Sequence, residues 1–295
     1  MTEPRTIGFL GLGLMGRGIT RRLTGQGYRV LGYDIAADKV EAARAWGVEP
    51  ADSPADVARG VDVVLVCVTT TSAVEEALLG PKGVVEAAPR EGLVVVDHST
   101  TEIDVTRRIG EALAEKGIAF VDAPVSGGPG AAETGTLAIM AGGDDAAVSR
   151  IRPLMDRLAS RFTAMGPIGA GQATKLVNQI LVLTNYCILA EAHAMGQRLG
   201  VDVAKIPEAL ATGHAGSNLL RDLFPRMVER DFAPRGYARQ VLKDLHLLAE
   251  EAKHLNLAMP MATQAAMLYR MLIDRGGAEL DGAAIVTLYD GQGGT

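Results

Sequence analysis

Residues 7–16 read IGFLGLGLMG, an apolar run that leads into three glycines and then into a stretch of helical composition. The glycines, Gly11, Gly13 and Gly16, have the G-x-G-x-x-G spacing that is typical of a dinucleotide-binding turn between a strand and a helix. In such a turn the first glycine permits a tight bend, the second lets the backbone approach a pyrophosphate, and the third lets the helix pack close to the strand. The stretch therefore predicts a strand, a phosphate-binding turn and a helix.

Asp34 indicates which dinucleotide the turn prefers. It ends the next predicted strand, where a carboxylate accepts hydrogen bonds from ribose hydroxyls. A 2′-phosphate would face this carboxylate, and the residue that follows is Ile35 rather than an arginine. We therefore predict NAD as the cofactor, with NADP less favoured, while a structural turn that binds nothing is the alternative. Further predicted cofactor contacts in the turn are Leu12, Leu14 and Met15.

The composition limits the class of protein. The chain has 295 residues, of which 22% are charged and 48% apolar, as is typical of a globular protein of one or two domains. A net charge of −6 argues against nucleic acid as a partner. Cys67 and Cys187 lie far apart in apolar runs, so we expect free thiols and a reducing compartment. Because we find neither a leader nor an apolar run of membrane-spanning length, we expect a cytoplasmic protein that binds no membrane.

Short apolar runs alternate with amphipathic stretches in the first half of the chain. Such alternation is typical of βαβ units with a mostly parallel sheet, whose strands are apolar along their length because helices cover both faces. The amphipathic stretches ITRRLTGQ (19–26) and TEIDVTRRIGEALAEKG (101–117) predict helices. The predicted strands are residues 6–10, 28–33, 61–68, 93–98, 118–123 and 136–141.

The pattern changes after residue 165. Residues 172–195 contain neither glycine nor proline and predict one long helix, and the remaining chain shows helical periods only. Breaks are expected near Gly200, Gly213, Pro225, Pro234 and Pro260. The predicted fold class is therefore α/β, with an N-terminal Rossmann domain for NAD over residues 1–165. An all-helical domain for substrate binding and dimerisation follows over residues 166–295, joined by a long interdomain helix from about residue 170.

The loop DAPVSGGPGAAETGTL (122–137) follows directly on a predicted strand. Ligands of open α/β sheets bind beyond the carboxyl ends of the strands, so we expect this loop to face the site. The hydroxyl of Ser126 and the bare amides of Gly127 and Gly128 could hold a carboxylate. An ordinary loop is the alternative, and residue types alone favour it.

The stretch GAGQATKLVNQ (169–179) places Lys175, Asn178 and Gln179 at i, i+3 and i+4, on one face of the long helix. Burying a lysine and two amides without partners is costly. Partial desolvation lowers the pKa of a lysine, which makes Lys175 a candidate general acid or base. The alternative is a solvated face at the helix start.

Other polar residues carry weaker signals. Lys243 and Asp244 open a predicted helix, where an exposed ion pair is the simpler interpretation. His214, Ser217 and Asn218 are weak candidates for the substrate site. The histidines are scattered without metal-ligand spacing, so we predict no metal, and we expect His193 to be a satisfied core residue.

With these motifs in order, the whole chain resembles the β-hydroxyacid dehydrogenase family, which includes 3-hydroxyisobutyrate dehydrogenases and tartronate semialdehyde reductases. Four motifs carry the resemblance, namely GFLGLGLMG with Asp34, DAPVSGG, GAGQATKLVNQ and KDL. The resemblance implies the fold expected above, assembled as a homodimer or homotetramer. It also implies a small anionic hydroxy acid as the substrate.

The resemblance implies a role for each matching residue. Lys175 is the catalytic acid/base, which takes the hydroxyl proton while hydride passes to the nicotinamide, and which returns a proton to a semialdehyde in reverse. Asn178 orients the substrate, with Gln179 beside it, and Ser126, Gly127 and Gly128 hold the substrate carboxylate. The implied cofactor contacts are Val68, Thr69, Thr100 in the stretch DHST (97–100), and Lys243 near the nicotinamide.

The chain departs from the family pattern at three places. Thr69 replaces a common proline, and Gln179 replaces a common asparagine and could narrow the substrate site. Arg235 and Arg239, around Tyr237, could meet a second anionic or hydroxylated end of the substrate. Ion-paired surface arginines are the alternative.

Two other functions stay open. One is an NADPH-dependent glyoxylate/succinic semialdehyde reductase or imine reductase, although imine reductases usually lack the helix lysine and Lys175 argues against them. The other is a catalytically inactive dinucleotide-binding sensor or scaffold, against which Lys175, Ser126 and Asn178 argue.

Overall fold

The computed structural model describes residues 6–88 and 92–291. The chain divides into two compact units, with the boundary after Lys175. The first unit contains a β-sheet with helices on both faces, and the second is helical. The α/β fold class predicted from the sequence is therefore confirmed.

The sheet of the first unit has nine strands within the described residues, in the order β3-β2-β1-β4-β5-β6-β8-β7, with β9 paired to β8. The pairs from β3 to β6 are parallel, whereas β8 runs antiparallel to β6 and β7. The strands are β1 (Thr6–Leu10), β2 (Arg29–Tyr33), β3 (Val48–Pro50), β4 (Val63–Val66), β5 (Val94–Asp97), β6 (Ala119–Asp122), β7 (Val125–Ser126), β8 (Leu137–Gly143) and β9 (Ala159–Gly166).

Helices cover both faces of the sheet, which explains the unbroken apolar strands. Val63 and Leu65 of β4 pack into one buried cluster, while Val64 and Val66 pack into a second cluster on the opposite face. The helices of this unit are α1 (Leu14–Gly25), α2 (Ala37–Arg44), α3 (Pro54–Arg59), α4 (Thr71–Leu79), α5 (Ile103–Ala114), α6 (Gly128–Thr134) and α7 (Asp145–Leu158), with a 3-10 turn at Val84–Ala87.

One helix, α8 (Ala170–Arg198), crosses the boundary between the units. It confirms the predicted long helix and extends it by a few residues at each end. By length and mean hydropathy, 1.2 over its most apolar window, it matches a membrane span. Core helices of soluble proteins match equally well, so this single helix is weak evidence for a membrane.

The second unit continues with helices whose starts follow the predicted breaks. Pro225 and Pro260 lie in the first turns of α11 and α13, where a missing amide hydrogen costs nothing. The helices are α9 (Ile206–Ala209), α10 (Asn218–Asp222), α11 (Phe224–Glu229), α12 (Ala238–His254) and α13 (Pro260–Leu272). The other helical segments are 3-10 at Val203–Lys205, π at Ile273–Gly277 and 3-10 at Gly282–Tyr289.

Candidate active site

The glycine turn joins β1 to α1, and its three glycines are not all required by the fold. A Cβ on Gly11, where φ is +97°, would lie 2.3 Å from the carbonyl oxygen of Cys67, and one on Gly16 would lie 1.9 Å from the carbonyl oxygen of Gly11. A Cβ on Gly13 would meet nothing within 4 Å. The fold therefore requires Gly11 and Gly16, whereas Gly13 leaves open space at the N-terminus of α1, where phosphate binding is favourable.

Asp34 follows β2 and is held against the glycine turn. Its Oδ2 accepts a hydrogen bond from the amide of Leu12 at 2.7 Å, and its Oδ1 accepts one from Ala36 at 2.9 Å. The ammonium of Lys39 lies 3.7 Å from Oδ1. The carboxylate is thus placed beside the turn as a ribose-binding group requires, with a cation beside it that the sequence analysis did not single out.

The segments that follow β4 and β5 are joined by a serine. The hydroxyl of Ser99 accepts a hydrogen bond from the amide of Val68 at 3.0 Å. Thr69 is exposed and Thr100 is half-buried, so both side chains are accessible at this edge of the sheet. Three of the predicted cofactor contacts therefore lie on two neighbouring strand ends.

The serine-glycine loop leads from β7 into α6. Gly127 and Gly128 have φ values of +130° and +73°, which favour glycine and turn the chain directly after Ser126. A Cβ on Gly18 of α1 would lie 2.9 Å from the Cβ of Ala132 in α6. Because α1 and α6 pack this closely, the loop is fixed to the helix that starts at the glycine turn.

Lys175 is the last residue of the first unit, and its side chain contacts β7 directly before the serine-glycine loop. Its side chain is buried, and Nζ donates a hydrogen bond to the carbonyl oxygen of Val125 at 2.8 Å. Val125 directly precedes Ser126, so the structure brings the predicted acid/base and the predicted carboxylate site together. A buried ammonium beside amides and a hydroxyl can exchange a proton with a bound hydroxyl group.

The sequence analysis missed two buried residues that meet at the start of α8. Gln172 lies in the first turn of this helix, and Asp122, the last residue of β6, packs against it. Asp122 accepts hydrogen bonds from the amides of Gly169 and Gln172 at 2.7 and 2.8 Å. Burial raises the pKa of Asp122 to about 7, although both hydrogen bonds act to lower it. Asp122 opens the DAPVSGG motif and Gln172 follows the GAG of the helix motif, so their positions within the motifs were the available signal.

In the second unit, a chain of polar side chains joins α8 to α12. The amide nitrogen of Asn178 donates to Oε1 of Gln179 at 2.8 Å, and Gln179 in turn donates to Asp244. Lys243 forms an ion pair with Asp244 at 2.8 Å. The structure thus brings Asn178, Gln179 and Lys243 together through Asp244, which the sequence analysis treated as part of an exposed pair.

The weaker candidates have structural partners or lie exposed. Ser217 caps α10 by accepting the amide of Leu220, Asn218 is the first residue of that helix, and His214 is exposed. Arg235 pairs with Asp231, and Arg239 pairs with Glu279 at 2.7 Å and lies over Tyr237. The ion-paired interpretation therefore describes both arginines.

Known proteins resemble the whole chain. A family model described as the NAD binding domain of 6-phosphogluconate dehydrogenase matches residues 6–166. A second, described as the NAD-binding of NADP-dependent 3-hydroxyisobutyrate dehydrogenase, matches residues 169–289. Both halves of the chain therefore match models of hydroxyacid dehydrogenases.

Individual relatives agree with these models. The 2-hydroxy-3-oxopropionate reductase of Escherichia coli is 35% identical over 95% of this chain and 95% of its own length. The NAD-dependent L-serine dehydrogenase of Pseudomonas aeruginosa is 34% identical over 97% and 98%. Among solved structures, 3-hydroxyisobutyrate dehydrogenase from Salmonella typhimurium superposes with a TM-score of 0.87 at 28% identity, covering 96% of this chain and 99% of that one.

Proposed function

Because the chain belongs to the β-hydroxyacid dehydrogenase family, we propose that it transfers hydride between NAD and a short β-hydroxy acid or its semialdehyde. At the coarser level it is an NAD(P)-dependent dehydrogenase that acts on CH–OH groups, as its relatives are. The substrate we propose resembles 3-hydroxyisobutyrate, a small acid whose hydroxyl lies one carbon beyond the α-carbon.

The contact between Lys175 and Val125 carries this proposal. The amine is hydrogen-bonded to Val125, the residue that directly precedes Ser126. If the hydroxyl of Ser126 and the amides of Gly127 and Gly128 hold the substrate carboxylate, the hydroxyl group of the substrate would face this amine. As the neutral amine, Lys175 takes the hydroxyl proton, and the ammonium that forms stabilises the developing alkoxide. When bound, the cofactor would supply the hydride acceptor in one direction and the hydride donor in the other. Fixing both ends of so short a substrate keeps the reacting atoms aligned.

The family resemblance also assigns roles to three residues of the second unit, Asn178, Gln179 and Lys243. Asn178 orients the substrate hydroxyl, while Gln179, which is hydrogen-bonded to Asp244, holds the amide of Asn178 in place. Lys243, which forms an ion pair with Asp244, would hold the nicotinamide end of the cofactor. Val68, Thr69 and Thr100, at the strand ends of the first unit, would also hold the cofactor.

NAD is the proposed cofactor, in preference to NADP, because Asp34 would repel a 2′-phosphate. Lys39 lies close enough to offset part of that repulsion. Replacing Asp34 by alanine should raise the ratio of kcat/KM with NADP to kcat/KM with NAD at least tenfold. Lys39→Ala should leave the preference for NAD unchanged or strengthen it. An unchanged ratio in Asp34→Ala would show that this carboxylate does not set cofactor choice.

We further propose a cytoplasmic homodimer or homotetramer. Four exposed apolar side chains follow one another along α8 at spacings of four, seven and seven residues. These spacings correspond to about one or two helical turns, so the side chains form one stripe on the helix surface. They are Val177, Leu181, Ile188 and Met195, with 57%, 63%, 47% and 66% of their surface exposed. A second copy of the chain would cover this stripe.

The test follows the absorbance of reduced nicotinamide for the purified protein and for Lys175→Ala. Each is given NAD or NADP with 3-hydroxyisobutyrate, serine, glycerate, 3-hydroxypropionate, threonate or 4-hydroxybutyrate. We expect turnover with NAD on one of these acids, and its loss in Lys175→Ala. Tight NAD binding without turnover on any acid would contradict the proposal and favour a sensor or scaffold.

A further inference from the structure

Asp122 caps α8 from outside the helix. It is the last residue of β6 and is fully buried, and its two carboxylate oxygens accept the amides of Gly169 and Gln172. These amides lie at the start of a 29-residue helix, where backbone N–H groups lack partners within the helix. Above its pKa of about 7, the ionised carboxylate of Asp122 satisfies two of them and interacts favourably with the helix dipole.

Gln172 extends the same contact to the end of β5. Its side-chain oxygen accepts the amide of Thr101 at 3.1 Å, and its side-chain nitrogen donates to the carbonyl oxygen of Ser99 at 2.8 Å. The two bonds therefore enclose Thr100 on both sides. Gln172 is fully buried, so its amide would lose both partners if the segment at 99–101 moved away from α8.

The first turn of α8 lies against the strand ends without spare space. A Cβ on Gly171 would lie 2.5 Å from the carbonyl oxygens of both Asp122 and Met140. One on Gly142 would lie 2.6 Å from Oδ1 of Asp122. Only glycine fits at these contacts, so the helix start has one position relative to β6 and β8.

Lys175 is three residues beyond Gln172, on the next turn of α8. We propose that Asp122 and Gln172 are positioning residues, which hold the amine of Lys175 and the segment of Thr100 in one fixed arrangement for hydride and proton transfer. This inference rests on the proposed function, because it concerns the geometry of that same reaction. Neither side chain touches the reacting atoms, and both act through the backbone of α8 and of residues 99–101.

The kinetic test uses substitutions that keep side-chain size. Gln172→Met removes both hydrogen bonds. Asp122→Asn replaces one acceptor by a donor that faces an amide. We expect kcat to fall at least tenfold in both variants, with KM for the hydroxy acid changed less than threefold. The isotope effect of a substrate deuterated at the carbinol carbon should rise, because hydride transfer becomes slower.

A matched control separates positioning from stability. Asp281 is another buried carboxylate that accepts backbone amides, from Arg235, Gly236 and Ala283, and it lies in the second unit. It also forms a buried ion pair with Arg226, so its substitution is a stringent control for lost stability. Asp281→Asn should lower Tm while kcat and the isotope effect stay unchanged. Two outcomes would show that Asp122 and Gln172 are structural only and that the inference is wrong. In one, the loss of kcat follows the loss of Tm in the same way in all variants, including Asp281→Asn. In the other, kcat stays unchanged in Gln172→Met.

Hydrogen exchange provides a measurement that needs no turnover. In Gln172→Met the amide of Thr101 should exchange faster, and so should the amides of Gly169 and residue 172, because the two contacts act as one unit. Faster exchange at Thr101 alone would overturn the inference. If Gln172→Met does not fold, Asp122→Asn takes its place in both measurements, and faster exchange at Gly169 and residue 172 without Thr101 would then overturn the inference. A wild-type protein without turnover would contradict the proposed function. Hydrogen exchange would still decide whether the contacts of Asp122 and of Gln172 are coupled.

Discussion

Gly13 and Gly16 belong to the same motif for different physical reasons. A side chain at Gly16 would overlap the backbone of Gly11, so this glycine is needed for folding. Gly13 has φ of −69°, which any residue adopts, and open space in front of it. The fold therefore does not require glycine here, which supports the proposal that a pyrophosphate approaches this backbone.

This difference predicts opposite outcomes for two substitutions. Gly13→Val should change the free energy of unfolding by less than about 1 kcal/mol and weaken NAD binding at least tenfold. Gly16→Ala should destabilise the protein by about 1–3 kcal/mol because backbone must shift. Thermal unfolding and calorimetric titration with NAD measure both effects.

Gly25→Ala serves as the control for these variants, since Gly25 ends the same helix and faces open space. It should leave NAD binding unchanged. Unaltered NAD binding by Gly13→Val would contradict the placement of the pyrophosphate at this turn.

The elements show what sequence patterns can and cannot reveal. All six predicted strands exist, because each contains an apolar run, and those of β1, β4, β5 and β6 are buried almost throughout. Three strands were missed. β3 and β7 have only three and two residues, and β9 exposes most of its side chains around Phe162, so none of them has a detectable period.

The sequence could single out only part of the candidate site. Lys175 and Asp34 stood out because they lie at characteristic positions of the helix motif and of the glycine motif. Asp122, Gln172 and Lys39 could not, since their roles depend on contacts between distant segments, such as Gln172 with Ser99. The predicted site roles stay predictions.

His193 of α8 is buried as predicted, but it is not satisfied within the described residues. Neither ring nitrogen has a hydrogen-bond partner there, and the ring packs edge-on against Phe224 of α11, with centroids 5.7 Å apart. Burial, and then the charge of Arg230, lower the pKa of His193, while Asp290 opposes this shift. The neutral ring is therefore the folded form.

His193→Leu should stabilise the protein by about 1 kcal/mol at pH 7, because it removes unpaired polar atoms from the interior. A folded-state pKa below 6.5 means that the unfolded chain binds the proton first, so wild-type stability falls as pH drops below 6.5. The advantage of His193→Leu should therefore widen from pH 7 to pH 5 in urea unfolding. His254→Gln, at an exposed site, should show no such widening, and a destabilised His193→Leu would contradict this account.

At the scale of the whole molecule, the exposed apolar stripe on α8 predicts self-association. Leu181→Glu with Ile188→Glu should convert the assembly to monomers in light scattering, because two charges would be buried in the contact without partners. Leu255→Glu, an equally exposed leucine outside α8, should leave the assembly intact. A wild-type protein that is already monomeric would contradict the proposed homodimer or homotetramer.

The measurement that tests the central claim most directly compares Lys175→Ala with the wild type on the best substrate of the panel. Loss of general acid/base catalysis should lower kcat by about 10²–10⁴-fold, while the Kd for NAD changes less than twofold. Small alkylamines added to the solution should restore part of the rate by taking the place of the missing amine. A Lys175→Ala variant that turns over at the wild-type rate would show that this lysine is not the acid/base and that the proposed mechanism is wrong.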